Sequence, residues 1–421
     1  MSLPALASVV IVMRVLGYAL YGRLVARQFR LDDSVPTPAV QVNDGVDFVP
    51  ANRFFLLGQH FSAIAAAGPI AGPILACQLF GWGPAILWIA LGIVFLGAVH
   101  DFSALVASVH HRARSIAEVV KENMGRRAWL VFLAFIWIAL VSLIIAFADI
   151  TAATFVGQTE ELEGRFAFNA GGAVAAASIA YLLLSIVMGL LQRKFAPPLW
   201  LVTVVFVPAT LGVAWLGTQI STLFVHGQTT WAMTIMVYCF VASLLPVWML
   251  LQPRGYLGGF VLYMAIAIGV VGIFFGDFEV RQPMVSAAPV FGMSGSIFPF
   301  LFVTIACGAV SGFHGLVCSG TTSKQIRRQS DTRLVGYGGM LLEAFVALIA
   351  LATIMIVAPE TSRGTAPGRT YGDGIARFLT VLLGEGAFLF AATFGAMAFS
   401  MFVFDTLDVA TRLGRATSSR S

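Results

Sequence analysis

The chain has 421 residues, 59% of them hydrophobic and only 11% charged, where an average soluble domain carries about 25% charged residues. That composition excludes a soluble protein and describes a polytopic membrane protein whose first partner is the lipid bilayer. The net charge of +5 does not point to nucleic acid, because basic residues in membrane proteins mainly report loop topology.

A spanning helix needs roughly 20 apolar residues, and eleven segments qualify: 4–22, 61–82, 84–106, 129–157, 170–191, 198–217, 230–250, 256–275, 297–319, 334–357 and 386–410. The first lacks a basic leader and is followed by Arg23, Arg27 and Arg30, which reads as a retained span with its N-terminus outside. The second carries two pairs, Gly68-Pro69 and Gly72-Pro73, near its middle. A proline inside a helix removes a donor and clashes with the carbonyl four residues earlier, so Ala65 and Pro69 would lose their partners. Such a break is tolerated only where protein or a polar cavity covers it, and transporters use it to build ion and substrate sites. Gln59 and His60 precede the break as gate or capping candidates. His100-Asp101 closes the third span, as a structural pair or a cytoplasmic gate. Asp149, in the outer half of the fourth, is an ionisable group at depth and a coupling candidate.

The seventh span holds LLPVWMLLQPRGY, with Ser243 beside Pro246; Pro246 frees the Ala242 carbonyl and Pro253 closes the span. In the ninth, Thr304, Gly308, Ser311, Gly315 and Ser319 recur at helical spacing, a face suited to close helix packing or to cation coordination. His314 sits at its edge, with an unperturbed pKa of roughly 6.5; a proton-linked role and a neutral bond to a carbonyl are both open. Glu343, midway along the tenth span, is a coupling candidate or the partner of a group such as Arg14. Asp405, Asp408 and Arg412 lie near a cytoplasmic end, as structural pairs or a gate. Cys77, Cys239, Cys307 and Cys318 read as packing residues, without zinc spacing, so no metal or cofactor is expected beyond a coupling proton or sodium ion.

Nineteen of the 25 Lys and Arg fall on the side of the first loop and five on the other, which puts the C-terminus in the cytoplasm. With the first span set aside as accessory, breaks fall in the first and sixth of ten core spans, the pattern of a five-plus-five inverted repeat. The expected division is an accessory helix and loop at 1–60, repeats at 61–217 and 218–412, and a short tail at 413–421. By analogy with leucine-transporter-like folds, the eighth core span would face the broken first one across a sodium site. Enzyme readings fail: no P-loop, H-E-x-x-H or G-x-S-x-G is present, and Ser311 and His314 sit too close on one helix for nucleophilic attack.

The runs VNDGVDFVPANRFFLLGQHFSAIAAAGPIAGPILACQ (42–78), LLPVWMLLQPRGYL (244–257), FPFLFVTIACGAVSGFHGLVCSGTTSKQ (298–325), GYGGMLLEAFVALIAL (336–351) and FDTLDVATRLGR (404–415) resemble the carbon starvation protein A family. The resemblance implies a cytoplasmic-membrane importer of peptides or pyruvate in carbon starvation. It also implies a fold of the amino acid, polyamine and organocation transporter type, all-α with the five-plus-five core. Many relatives have glutamine at the position of His100, which argues against an essential acid–base role there. Relatives usually continue with further helices past Ser421, so accessory C-terminal helices are expected to be absent here. The functional expectation is ion-coupled import by alternating access, with Gly68–Pro73, Ser243, Pro246, Ser311, His314 and Ser319 at the site. A non-transporting nutrient sensor and a channel are the alternatives.

Overall fold

The computed structural model describes residues 2–45, 47–65, 67–162, 166–246, 248–286, 300–305 and 310–418. Among them eight helices are long and apolar enough to cross a membrane: α1 (Leu3–Gln28), α5 (Trp82–His110), α6 (Ile116–Thr154), α7 (Ala170–Phe195), α8 (Leu199–Gln219), α10 (Leu251–Phe275), α13 (Arg333–Met355) and the Glu385–Arg412 stretch, a 3-10 turn continued by most of α16. Shorter helices are α2 (Pro38–Val42), α3 (Arg53–Ile64), α4 (Gly68–Phe80), α9 (Gln228–Leu244), α11 (Phe300–Thr304), α12 (Gly312–Gly320), α14 (Pro359–Ser362) and α15 (Pro367–Leu383). Helix α16 runs Phe388–Ser418. The α3–α4 pair, bent by 49°, makes a ninth crossing if counted as one span. The eleven expected spans are therefore not all continuous helices. The seventh is short, and the ninth is interrupted.

Two compact units emerge, one of Met1–Ile136 with Val280–Leu351, the other of Trp137–Glu279 with Ala352–Ser421. In the first unit, α1 buries Leu3, Leu6, Ala7, Val10 and Arg14, a three-to-four-residue spacing that lines one face. It widens into a π turn at Gly17–Tyr21, and α5 does the same at Ile93–Gly97. A π turn disturbs the helical ladder. Tyr337 repairs it, its hydroxyl donating to the Val94 carbonyl at 2.9 Å and lying 3.4 Å from that of Gly17.

The broken span forms where the prolines put it, with a correction to their roles. Asn52 caps α3 by accepting from the Phe54 N–H at 2.9 Å. Pro69 sits in the first turn of α4, where a missing N–H costs nothing, and the Ala67 carbonyl accepts from Ile70 and Ala71. Only Pro73 lies inside α4. Gly72 is there for space: a Cβ would stand 2.8 Å from the Thr304 carbonyl oxygen of α11. Gly72→Ala is expected to cost about 1–3 kcal/mol by overpacking, read as a lower thermal midpoint of the purified protein.

The ninth span does not present one helical face. Helix α11 ends at Thr304 and α12 starts at Gly312, with Ser311 extended at its N-cap (φ −91°, ψ 117°). Thr304 and Ser319 thus belong to different helices, and Gly308 and Cys307 lie outside the described residues.

In the second unit an antiparallel hairpin, β1 (Thr159–Leu162) and β2 (Phe166–Asn169), leads into α7, whose N-terminus Asn169 caps by accepting from the Gly172 N–H at 2.7 Å. Pro253 lies in the first turn of α10 and so opens a span that it was expected to follow. The connection left between the expected spans 334–357 and 386–410 contains α15, which packs Tyr371, Ile375 and Phe378 inward. Phe378 sits so close to Gly272 of α10 that no larger residue fits there.

Candidate functional site

The first unit encloses a chain of titratable groups. His314, on α12, carries Nδ1 2.8 Å from Asp101 Oδ2 and Nε2 3.4 Å from Glu343 Oε2. All three side chains are 1% exposed or less. The Glu343 contact is an ion pair without hydrogen-bond alignment, since neither carboxylate oxygen has a hydrogen-bond partner among the described residues. Asp101 Oδ1 meets His100 Nδ1 at 2.8 Å, and the His100 side chain is 37% exposed. A route of proton-bearing groups therefore runs from the half-exposed His100 through Asp101 and His314 to Glu343.

The chemistry follows from charge counting. A carboxylate only accepts, and a neutral imidazole has one N–H to give. His314 can serve both acids only as imidazolium. Even then the trio carries one excess negative charge unless Glu343 holds a proton, and an unpaired charge in a dry interior is costly. The trio thus brings two carboxyl groups and one imidazole together in a buried site.

His60, wholly buried, places Nδ1 2.9 Å from Thr322 Oγ1 and Nε2 3.9 Å from Cys318 Sγ. Ligating atoms of His60, Asp101 and Cys318 lie within 4.8 Å of one another, a donor set that a divalent ion accepts. Both Asp101 oxygens already bond histidines, so the cluster is first of all a hydrogen-bonded network. Gln59, in contrast, is exposed.

Other candidates are occupied in ways the sequence hid. Ser319 Oγ donates to the Gly315 carbonyl at 2.7 Å and accepts from the Ile116 N–H at 3.0 Å, tying α12 to the start of α6. Its hydroxyl serves a structural tie between these helices. Gly68, Pro69, Gly72 and Pro73 are buried in the first unit, while Ser243 belongs to the second, donating to the Phe240 carbonyl at 2.7 Å. Pro246 is exposed. The carbonyls at that break are not open to a cation, because Arg412 donates to Ala242 at 2.8 Å and to Leu245 at 2.9 Å. Asp149 is exposed and accepts from Gln228 Nε2 at 2.8 Å; it does not lie at a buried centre. Arg14 does not pair with Glu343. Its three guanidinium nitrogens are buried without a hydrogen-bond partner among the described residues. Replacing a buried, unsatisfied group by an apolar one of similar length recovers about 1–3 kcal/mol, so Arg14→Met is expected to raise the thermal midpoint.

The second unit holds a network that sequence reasoning missed. Arg254 was counted among loop charges, yet its side chain is fully buried, 2.6 Å from Asp405 and 2.7 Å from Asp408. Tyr238 donates to Asp408 at 3.3 Å, and Tyr181 donates to the Arg254 carbonyl at 2.8 Å. The signal was there: two acids three residues apart on an apolar helix need a cation, and Arg254 opens a span. Asp408 is thus a pairing residue.

Comparison with known proteins now places this architecture. The family model described as carbon starvation protein CstA matches residues 4–363. The chain belongs to the carbon starvation protein CstA family. A protein named peptide transporter CstA from Helicobacter pylori (strain ATCC 700392 / 26695) is 39% identical over 364 residues, covering 82% of this chain and 50% of that one. The pyruvate/proton symporter BtsT of Escherichia coli K12 is 36% identical over 351 residues, 81% of this chain and 47% of that one. The peptide transporter CstA of the same strain is 36% identical over 360 residues, 82% and 49%. The chain spans about half the length of the curated relatives it matches. His100, Asp101, His314 and Glu343 all fall inside the matched region, while Asp405 and Asp408 lie beyond the family model. The relatives are transporters by name, which agrees with a non-enzymatic membrane protein.

Proposed function

We propose that the chain is the membrane core of a secondary transporter that imports small carbon nutrients, peptides or pyruvate, by proton-coupled alternating access. The observation that carries this reading is the buried trio Asp101–His314–Glu343, which has a path to the surface through His100. An ionisable group inside a membrane protein marks an ion or proton pathway by default. The proton supplied there neutralises a site that otherwise holds surplus negative charge, and the break at Gly68–Pro73 supplies backbone for the substrate. The name of one relative, a pyruvate/proton symporter, supports the choice of proton over sodium.

The inverted repeat gains support from the make-up of the two units. Numbering ten core spans from the α3–α4 pair, the first unit holds spans one, two, eight and nine, and the second holds most of three through seven and ten. Exchanging each span with its counterpart five positions away turns one, two, eight and nine into six, seven, three and four. All four counterparts fall in the second unit, as an inverted repeat would require of them, while spans five and ten stay together there. The reading keeps the inner membrane as location, N-terminus outside and C-terminus inside.

The test is uptake of labelled pyruvate and dialanine into vesicles under an imposed proton or sodium gradient. Proton-driven accumulation supports the reading. Accumulation driven by sodium alone removes the proton claim, and unitary currents would replace the transporter by a channel.

A further inference from the structure

The second unit contains a cavity of about 260 Å³ that the coupling centre does not use. It lies between the end of α6, the hairpin, α15 and the start of α16. Its floor is apolar, with Phe168 and Phe388, while its wall is charged. Arg369, Asp373 and Arg377 line it from α15, and Gln158 and Glu160 line it from the start of the hairpin. The three α15 residues are spaced i, i+4 and i+8, which puts them on one stripe of the helix. The opposite face of the helix is buried against its neighbours, so this stripe is fixed in direction.

The spacing selects a ligand. Asp373 is within charge–charge reach of both arginines, yet no ion pair closes between them within 4.0 Å among the described residues. Each charge is left able to take an external partner. Four helical residues rise about 6 Å, so cationic and anionic groups stand about 6 Å apart along the stripe. Extended chain advances roughly 3.3–3.6 Å per residue, which puts the ammonium and carboxylate of a dipeptide about 7 Å apart. A planar guanidinium grips a carboxylate with two parallel hydrogen bonds, and the carboxylates of Asp373 and Glu160 suit an ammonium. Just below the roughly 300–1,000 Å³ typical of ligand pockets, the cavity of about 260 Å³ suits a short peptide better than a long one.

We propose that this cavity is a second substrate site, distinct from the buried trio, that binds a zwitterionic dipeptide end to end, its carboxylate on Arg369 or Arg377 and its ammonium on Asp373 and Glu160. A simple monocarboxylate engages only an arginine there and leaves the acids unmatched. By the distribution of Lys and Arg, this end of the unit faces outside. The site's role in uptake rests on the transporter reading; the binding itself does not.

The experiment uses the full chain in lipid nanodiscs and measures binding of dialanine, N-acetyl-dialanine, dialanine amide and pyruvate without any ion gradient. Dialanine is expected to bind saturably, and blocking either end to weaken it at least about tenfold, the loss of one charge-assisted contact. Asp373→Asn is expected to weaken dialanine, and Asp373→Asn with Glu160→Gln to weaken it as much as acetylation does, while leaving N-acetyl-dialanine no worse. Arg377→Gln combined with Arg369→Gln is expected to reproduce the amide, while Arg377→Lys retains part of the affinity and controls for folding. Unchanged dialanine affinity in Asp373→Asn and in the double arginine variant overturns the proposal. So does pyruvate binding that is as tight as dialanine's and that the double arginine variant abolishes. Because no gradient is present, failure of coupled uptake in vesicles leaves this result standing, and the reverse holds as well.

Discussion

His314→Gln is expected to abolish proton-driven accumulation of substrate while leaving counterflow exchange of labelled for unlabelled substrate in place. Glutamine keeps a donor for Asp101 but cannot take up a second proton, so substrate binding loses its link to protonation. Coupling free energies between sites typically amount to about 5- to 150-fold in affinity, and that factor is what the variant forfeits when apparent affinity is followed against pH. The substitution leaves Asp101 and Glu343 facing one another across a dry site, and instability of the variant would blur the result. Glu343→Gln settles that point. It removes the surplus charge that the trio carries and fixes the neutral state, so exchange persists and its pH dependence flattens. Accumulation at wild-type levels in both variants would take the proton site away from this trio.

Arg254→Met is expected to produce the largest loss of stability in the molecule. The guanidinium is wholly buried and faces two carboxylates, at 2.6 Å and 2.7 Å. Removing one partner of a buried ion pair typically costs about 3–5 kcal/mol, because the charge left behind is uncompensated; here two are left. The variant should fail to accumulate in the membrane or melt well below the parent. Adding Asp405→Asn and Asp408→Asn should restore most of the folded protein, since apolar or neutral replacements of an entire buried network are often tolerated. If Arg254→Met alone folds as well as the parent, the network is not structural and its excess acid belongs to a second ion site.

The multi-span helical character, the family and the position of the first break were legible in the sequence because each rests on a local signal. Twenty-residue apolar runs suit a membrane span, Pro69 favours a helix start, and long shared motifs identify relatives. What was not legible depends on contacts distant in sequence. Asp101 looked like an interfacial gate because it falls at the end of an apolar run, yet α5 continues to His110 and carries it into the interior beside His314, 213 residues away. Arg254 looked like a loop charge for the same reason. The stripe from Thr304 to Ser319 assumed that one helix persists, and the extended backbone at Ser311 breaks the periodicity on which that face depended. Pro246 did free a carbonyl, as its chemistry demands, but the sequence could not show that Arg412 would fill the vacancy from 170 residues away. Helix α15 escaped notice because its stripe of charge made a run of 17 residues look solvated.

The central claim is that one proton enters with substrate through Asp101, His314 and Glu343. The direct measurement is the internal pH of proteoliposomes holding a pH-sensitive dye, with no gradient imposed, after addition of pyruvate or dialanine. Internal acidification that follows substrate addition in the wild type and is absent in His314→Gln is the predicted result; no acidification in the wild type, or the same acidification in His314→Gln, contradicts the account.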